Sequence, residues 1–209
     1  MSTKLAKSEF VGNGPVQYRV EGSVEAPSRI LMRVDYADAP VPRDYYVADY
    51  FYVENKDPNI LMVFGKREGD DRLRTKVEIF FPAMFFVRQL WKSSRQFHKT
   101  LDEYVVKNGY RSEVPGKQGL PAEKAQTLQS NNVLMVLSNG DSMMDFYYMS
   151  PRDMYYKPLR KREIELEPLA RVIISPPLLL GFLDECGKIA ESLSVKFGGD
   201  DDDENLESN

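Results

Sequence analysis

Two stretches of this 209-residue chain carry its densest basic charge, one of them with aromatic rings among the cations. "GKREGDDRLRTK" holds Lys66, Arg67, Arg72, Arg74 and Lys76, offset by Glu68, Asp70 and Asp71. "RDMYYKPLRKRE" holds Arg152, Lys157, Arg160, Lys161 and Arg162, with Tyr155 and Tyr156 among them. Cationic side chains hold phosphate oxygens, and tyrosine faces stack on unpaired bases. These residue types therefore suit a grip on a single nucleic-acid strand. A pair of merely solvated charged loops is the alternative that charge runs alone leave open.

Other chemistry finds little material. The chain has one histidine, His98, on the charged side of a helical pattern, and one cysteine, Cys186, on an apolar stripe. A Cys/His zinc site cannot be built from one of each, and no disulfide can close within the chain. No phosphate-binding loop, nucleophile elbow or metalloprotease helix occurs, and "GKQG" from Gly116 to Gly119 reads as a turn. The expectation is a non-catalytic protein with no cofactor and no metal.

Hydrophobic residues make up 42% of the chain, enough to core one large domain or two small ones. No run of 18 apolar residues exists, so no membrane helix is expected, and "MSTKLAKSEF" lacks a signal-peptide core. With the lone cysteine, this favours a cytoplasmic protein. The net charge of −4 hides a split. Six acids lie between Asp200 and Asn209, leaving 28 basic against 26 (32 − 6) acidic residues in the body. Beyond the Gly198–Gly199 hinge, residues 198–209 are expected to be a disordered acidic tail. Such a tail solubilises, or it mimics nucleic acid by competing for a basic groove and recruiting protein partners. Residues 1–14 are expected to be flexible.

The elements that must position these groups occur twice. "YFYVE" (50–54), the turn "NKDPN", "ILMVF" (60–64), a charged loop, "KVEIFF" (76–81) and a helix from Pro82 form one series. "NVLMVL" (132–137), the turn "SNGDS", "MMDFYYM" (143–149), a polar loop, "LARVII" (169–174) and a helix from Pro176 form the other. Asn139-Gly140 between apolar runs is a strong hairpin signal, and proline suits a first helical turn. The turns align at an offset of 83 (138 − 55) and the helix starts at 94 (176 − 82), the second loop being 11 longer. Phe86, Leu90, Trp91, Phe97, Leu101, Tyr104 and Val105 form one helical stripe; Leu179, Leu183, Cys186, Ile189, Ala190 and Leu193 form the other. Strands are also expected at 16–24 and 29–37, with a short helix around 122–128.

The fold class expected is α+β: a tandem duplication of β-hairpin–loop–β–α units forming a pseudo-dimer, with antiparallel sheets and two principal helices. It occupies residues 15–193, with copies at about 48–105 and 131–193 and a linker at 106–130. Alternation along the strands, aligned at 83, assigns Tyr50, Tyr52, Phe64, Phe80 and Tyr147 to an outward face with Lys66, Lys76 and Arg171. Met62 is placed outward beside Asp145. Such a face also suits packing against the other copy or a partner chain.

"RKREIELEPLARVIISPPLLLGFLDECGKI" resembles the strand–proline–helix ending of the positive cofactor four and Whirly families of single-stranded DNA-binding proteins. The second unit is also similar to a small bacterial domain of unknown function, through Asp145-Phe146 and Arg171 to Pro176. The Lys-rich strand motif of the Whirly family is absent here. The resemblance implies a strand-binding role in replication or repair on single-stranded DNA or RNA, in a dimer, an internal duplication or a homo-oligomer. The expected site is Tyr50, Tyr52, Lys66, Arg67, Arg72, Arg74, Lys76, Tyr147, Tyr155, Arg160, Lys161 and Arg162. The rival expectation is a protein-binding adaptor or a chaperone that resembles SecB, capturing chains on outward Met62, Phe64 and Phe80.

Overall fold

The computed structural model describes residues 10–12, 14–22, 27–68, 73–110, 125–138 and 140–197. The acidic tail, Arg72 and most of the linker fall outside them.

The expected hairpins form. β1 (Val16–Gly22) and β2 (Pro27–Val34) make an antiparallel two-stranded sheet. β3 (Tyr45–Val47) precedes β4 (Tyr50–Lys56), β5 (Asn59–Arg67) and β6 (Leu73–Pro82). β7 (Gln126–Gln129) precedes β8 (Asn132–Ser138), β9 (Asp141–Tyr148) and β10 (Glu167–Ile174). One sheet runs β4-β5-β6-β7 and the other β8-β9-β10-β3. Both are mixed, not purely antiparallel, because β7 lies parallel to β6 and β3 parallel to β10. Each short strand thus joins the sheet built mainly by the other half of the chain. The hydroxyl of Tyr46 on β3 donates to Gln126 Oε1 on β7, linking the two short strands.

The short helix expected around 122–128 is corrected where it is described: Gln126–Gln129 is strand. It gains ladder hydrogen bonds from β6 and packs Leu128 on the core, and this tertiary pairing overrides a weak local preference. β3 likewise carries no pattern of its own.

Register fixes which faces are equivalent. Met62 on β5 opposes Val53 and Ile79; Met144 on β9 opposes Met135 and Val172. The offset is therefore 82 (144 − 62, and 135 − 53) for the hairpins and 93 (172 − 79) for the third strands. Each is one less than the turn and proline alignments give, and the 11-residue difference is retained. A one-residue slip exchanges the two faces of a strand. Met62 and Phe64 therefore point into the core with Met144 and Phe146, opposite to the expected outward placement. Phe64 and Phe146, equivalent residues of the two sheets, meet with ring centroids 6.0 Å apart.

Two helical tracts complete this core. The second, α4 (Pro176–Phe197), places Leu179, Leu183, Cys186, Ala190 and Leu193 inward as the periodicity requires. Its Phe182 packs on Phe51 and Phe64 of the first sheet, at 5.6 and 5.4 Å. Each fully buried ring contributes about 2–3 kcal/mol of transfer free energy. The first tract is not one continuous α-helix. α1 (Ala83–Phe85) gives way to a π-helical segment, Phe86–Trp91, and then α2 (Lys92–Lys107). The wider π turn shifts the apolar stripe while keeping Phe86, Leu90, Leu101 and Val105 buried. Trp91 lies against Gly187 of α4, where an added Cβ would come within 2.5 Å of the indole. His98, half-buried, joins the two tracts through Asp184 Oδ1 at 2.8 Å.

The polar loop expected between β9 and β10 contains a helix, α3 (Pro151–Leu159). Ser150 caps it, its Oγ accepting from the Asp153 amide at 3.4 Å, and Pro151 supplies the preset first turn. α3 and the β1–β2 hairpin enclose a second, smaller core of Val16, Tyr18, Tyr147, Met149, Met154, Ile164 and Leu166.

Candidate nucleic-acid interface

The structure separates the expected site residues into three groups. Tyr50 and Tyr147 are buried, at 3% and 1% exposure, and offer no ring for stacking. This corrects both assignments. Tyr50 lies across Gly65 on the neighbouring strand and bonds Thr75 Oγ1 at 3.1 Å. Tyr147 packs on Tyr36, 6.0 Å between centroids. Burial pushes both of those last two hydroxyls up to about 12, helped at Tyr147 by the charge of Asp145.

Arg171 and Asp145 do not point to water as separate outward charges. Asp145 is buried, and its two oxygens accept from Arg171 Nε and a terminal guanidinium nitrogen at 2.6 and 2.7 Å. Hydrogen bonding to Asp145 holds the Arg171 pKa above its usual value. A fork of this kind anchors a sheet face rather than recruiting a phosphate.

A second group surrounds the β5–β6 turn. Lys66, Arg67 and Arg74 are exposed, while Lys76, Tyr52 and Phe80 are half-buried. Arg74 pairs with Glu68 at 3.2 Å, and the Arg67 amide donates to Asp49 Oδ1 at 2.7 Å. Tyr52 is held by its neighbour: burial first, then Glu54, raises its hydroxyl pKa. Among the described residues, Glu68 matches the charge of Arg74, while the Lys66, Arg67 and Lys76 side chains make no ion pair.

The third group is α3 and its last turn, where the expected interleaving of rings and cations is present. Tyr155 and Tyr156 are about half exposed, at 50% and 51%, and meet edge to face at 5.1 Å. Lys157 turns back to Asp153 at 3.1 Å and Glu165 at 3.6 Å, and the bond to Asp153 raises its pKa. Arg160, Lys161 and Arg162 are exposed, and none makes an ion pair among the described residues. Their backbone closes the helix: the Lys161 amide donates to Pro158 O at 3.1 Å and the Arg162 amide to Lys157 O at 2.9 Å. This is the double C-terminal closure whose turning residue must be left-handed. Lys161 occupies that position, with φ of 52°, where glycine is the usual choice. Three cations also suit the negative end of the helix dipole.

Beside α3 lies a groove of about 400 Å³. Alternation along β2 turns Ser28, Ile30 and Met32 toward it, and i, i+3, i+4 spacing on α3 brings Pro151, Met154 and Tyr155. Phe85 of α1 and Met149 close it, and exposed Arg29 also lines it. Of these residues the sequence pattern singled out Tyr155 alone. The Ser-Pro-x-Asp start of α3 was the missed local signal; the β2 wall had none, since it depends on how the hairpin docks.

No family model, no curated protein and no solved structure matched this chain. Among the described residues no helix is long and apolar enough to cross a membrane.

Proposed function

We propose that this protein binds single-stranded nucleic acid without catalysing a reaction on it, using α3 and the turn that ends it. The observation that carries the reading is Lys161. It holds a left-handed backbone conformation, which costs a non-glycine residue about 1 kcal/mol or more, yet it is an exposed cation between two exposed arginines. Nothing in the fold uses that ammonium group among the described residues. A phosphate backbone does. Tyr155 and Tyr156, roughly one to two helical turns upstream, supply base-stacking surfaces worth about 1–3 kcal/mol per base.

The frame supports a further part of the same reading. Equal strand order, offsets of 82 and 93, exchanged short strands and the Phe64–Phe146 contact fit a tandem duplication folded as a pseudo-dimer. α3 is then the insertion that gives one copy its binding surface. The acidic tail competes for that surface when no strand is bound and recruits protein partners when displaced. The chaperone-like alternative loses support, because Met62 and Phe64 are core residues and Phe80 is half-buried.

The test is fluorescence anisotropy of a labelled strand of ~30 nucleotides, long enough for several sites, against matched duplex across a salt series. Each lost phosphate contact lowers the log–log salt slope by about 0.7, so Arg160→Ala/Lys161→Ala/Arg162→Ala lowers it by about 2. Lys161→Gly weakens binding while holding thermal stability level or raising it by up to about 1 kcal/mol. Absence of strand binding at low salt, with the full chain and with one ending at Gly199, defeats the reading.

A further inference from the structure

We propose that the groove between β2 and α3 is a pocket for an unpaired nucleobase of the bound strand. This rests on the reading above and extends it from the phosphates to the bases.

Size comes first. About 400 Å³ lies at the small end of ligand clefts, which suits one or two flat rings and is too little for a folded or helical partner segment. The chemistry of the walls comes next. Met32, Met149 and Met154 present polarizable thioethers, and Phe85 and Tyr155 present aromatic surfaces. Thioethers and rings are the side chains that pack best on the face or edge of an aromatic system. Tyr156 meets Tyr155 edge to face and so orients that ring before any ligand arrives.

Polar recognition is sparse. The Ser28 hydroxyl is spent on the Glu21 carbonyl at 3.0 Å. The pocket therefore reads the flat face of a base rather than its edge, and it tolerates any sequence. Charge complementarity names the occupant's surroundings. Arg29 lines the groove, Arg152 stands exposed beside Pro151, and Arg160, Lys161 and Arg162 close the same short helix. α3 has nine residues and is about 14 Å long, so a base at Tyr155 keeps its neighbouring phosphates within reach of these cations. A base inside a duplex reaches such a pocket only by leaving the stack, which adds an unstacking cost that a single strand escapes.

The experiment uses the full chain at low salt with two labelled strands of equal length, oligothymidylate and an abasic phosphodiester. The wild-type protein is expected to favour the base-bearing strand by roughly 5- to 150-fold, the range of one stacking contact. Ile30→Trp fills the groove from the strand wall, and Tyr155→Ala removes an exposed ring from the helix wall. Both are expected to bring the ratio toward one and leave the salt slope unchanged. Circular dichroism melting establishes that each variant is folded. Met32→Trp, from the same strand wall, decides the matter if Ile30→Trp does not fold, because Tyr155 also serves the stacking surface proposed above. Equal affinity of the wild-type protein for both strands, or a ratio that survives in the folded variants, overturns the pocket while the phosphate grip stands. Failure to bind either strand overturns both proposals.

Discussion

The two four-stranded sheets share strand order, direction and register, and their inner faces are alike: Met62, Phe64 and Ile79 in one match Met144, Phe146 and Val172 in the other. Their outer faces diverge. Val63 and Glu78 in the first sheet stand where Asp145 and Arg171 stand in the second. Gly65, covered by Tyr50 of β4, stands where Tyr147 opposes Asn132 of β8. The tyrosine comes from opposite strands of the hairpin in the two sheets. A shared core constrains both inner faces through one set of packed volumes. An outer face answers only to what covers it, and the second sheet is covered by the β1–β2 hairpin and α3. The candidate site thus belongs to the part of the molecule in which the two halves differ.

That contrast can be broken in graded steps. The largest effect is expected at Asp145→Ala, which removes both bonds of the Arg171 guanidinium, a side chain 27% exposed, and costs about 2–3 kcal/mol, the upper range for hydrogen bonds to charged groups. Glu78→Ala at the equivalent row removes a half-buried acid whose partner is the Thr127 hydroxyl at 3.3 Å, and costs about 1 kcal/mol. Denaturant midpoints compare the two; equal losses would mean that the outer faces are energetically alike. Gly65→Ala comes next, at about 1–3 kcal/mol, because its methyl group meets the Arg74 carbonyl oxygen and the Tyr50 ring. Tyr147→Ala, by contrast, empties the space at the equivalent position; Tyr50→Ala should relieve Gly65→Ala only in part, because the Arg74 carbonyl stays in place, and has no counterpart there. Thermal melts of the double variant decide this.

The smallest effect at neutral pH concerns the hydroxyls of Tyr36 and Tyr147, pushed by burial from 10.0 to about 12. A raised folded-state value means that the unfolded chain ionises first as pH rises. Their contribution is complete below about pH 10 and is lost as pH climbs from 10 to about 12. Tyrosinate absorbance followed alongside circular dichroism should show ionisation of these two with unfolding. Tyr36→Phe and Tyr147→Phe should each flatten the alkaline loss and lower stability below pH 10 by about 1 kcal/mol or less, for the lost bonds to Val133 O and Asp145.

Much of the site was legible because it is local. The Tyr-Tyr pair and the Arg-Lys-Arg run lie within one helix and its closing turn, so sequence proximity stood in for spatial proximity. Tyr50 and Tyr147 were misread because burial on an outer face depends on coverage by Gly65's open surface, Thr75 and Tyr36, which lie on other elements. The hairpins, the proline-started helices and the apolar stripes were also legible, since each is a periodicity within about twenty residues. β3 and β7 were not, at three and four residues long, because their only support is a neighbour's ladder.

By itself the sequence determined the main hairpin strands, the two proline-started helical tracts, and that the series occurs twice. Backbone geometry and proline or glycine chemistry act over a few residues and leave a local record. Only the tertiary structure decided which face of each strand is inside, that the short strands cross between sheets, that the first helix widens to a π turn, and that β2 docks beside α3 to open a groove. Strand faces repeat every two residues, so an error of one residue in aligning the halves reverses them. Packing removes that ambiguity, because one choice sets Met62 and Phe64 against Met144 and Phe146 and the other would turn Asp145 and Arg171 into that apolar core in their place.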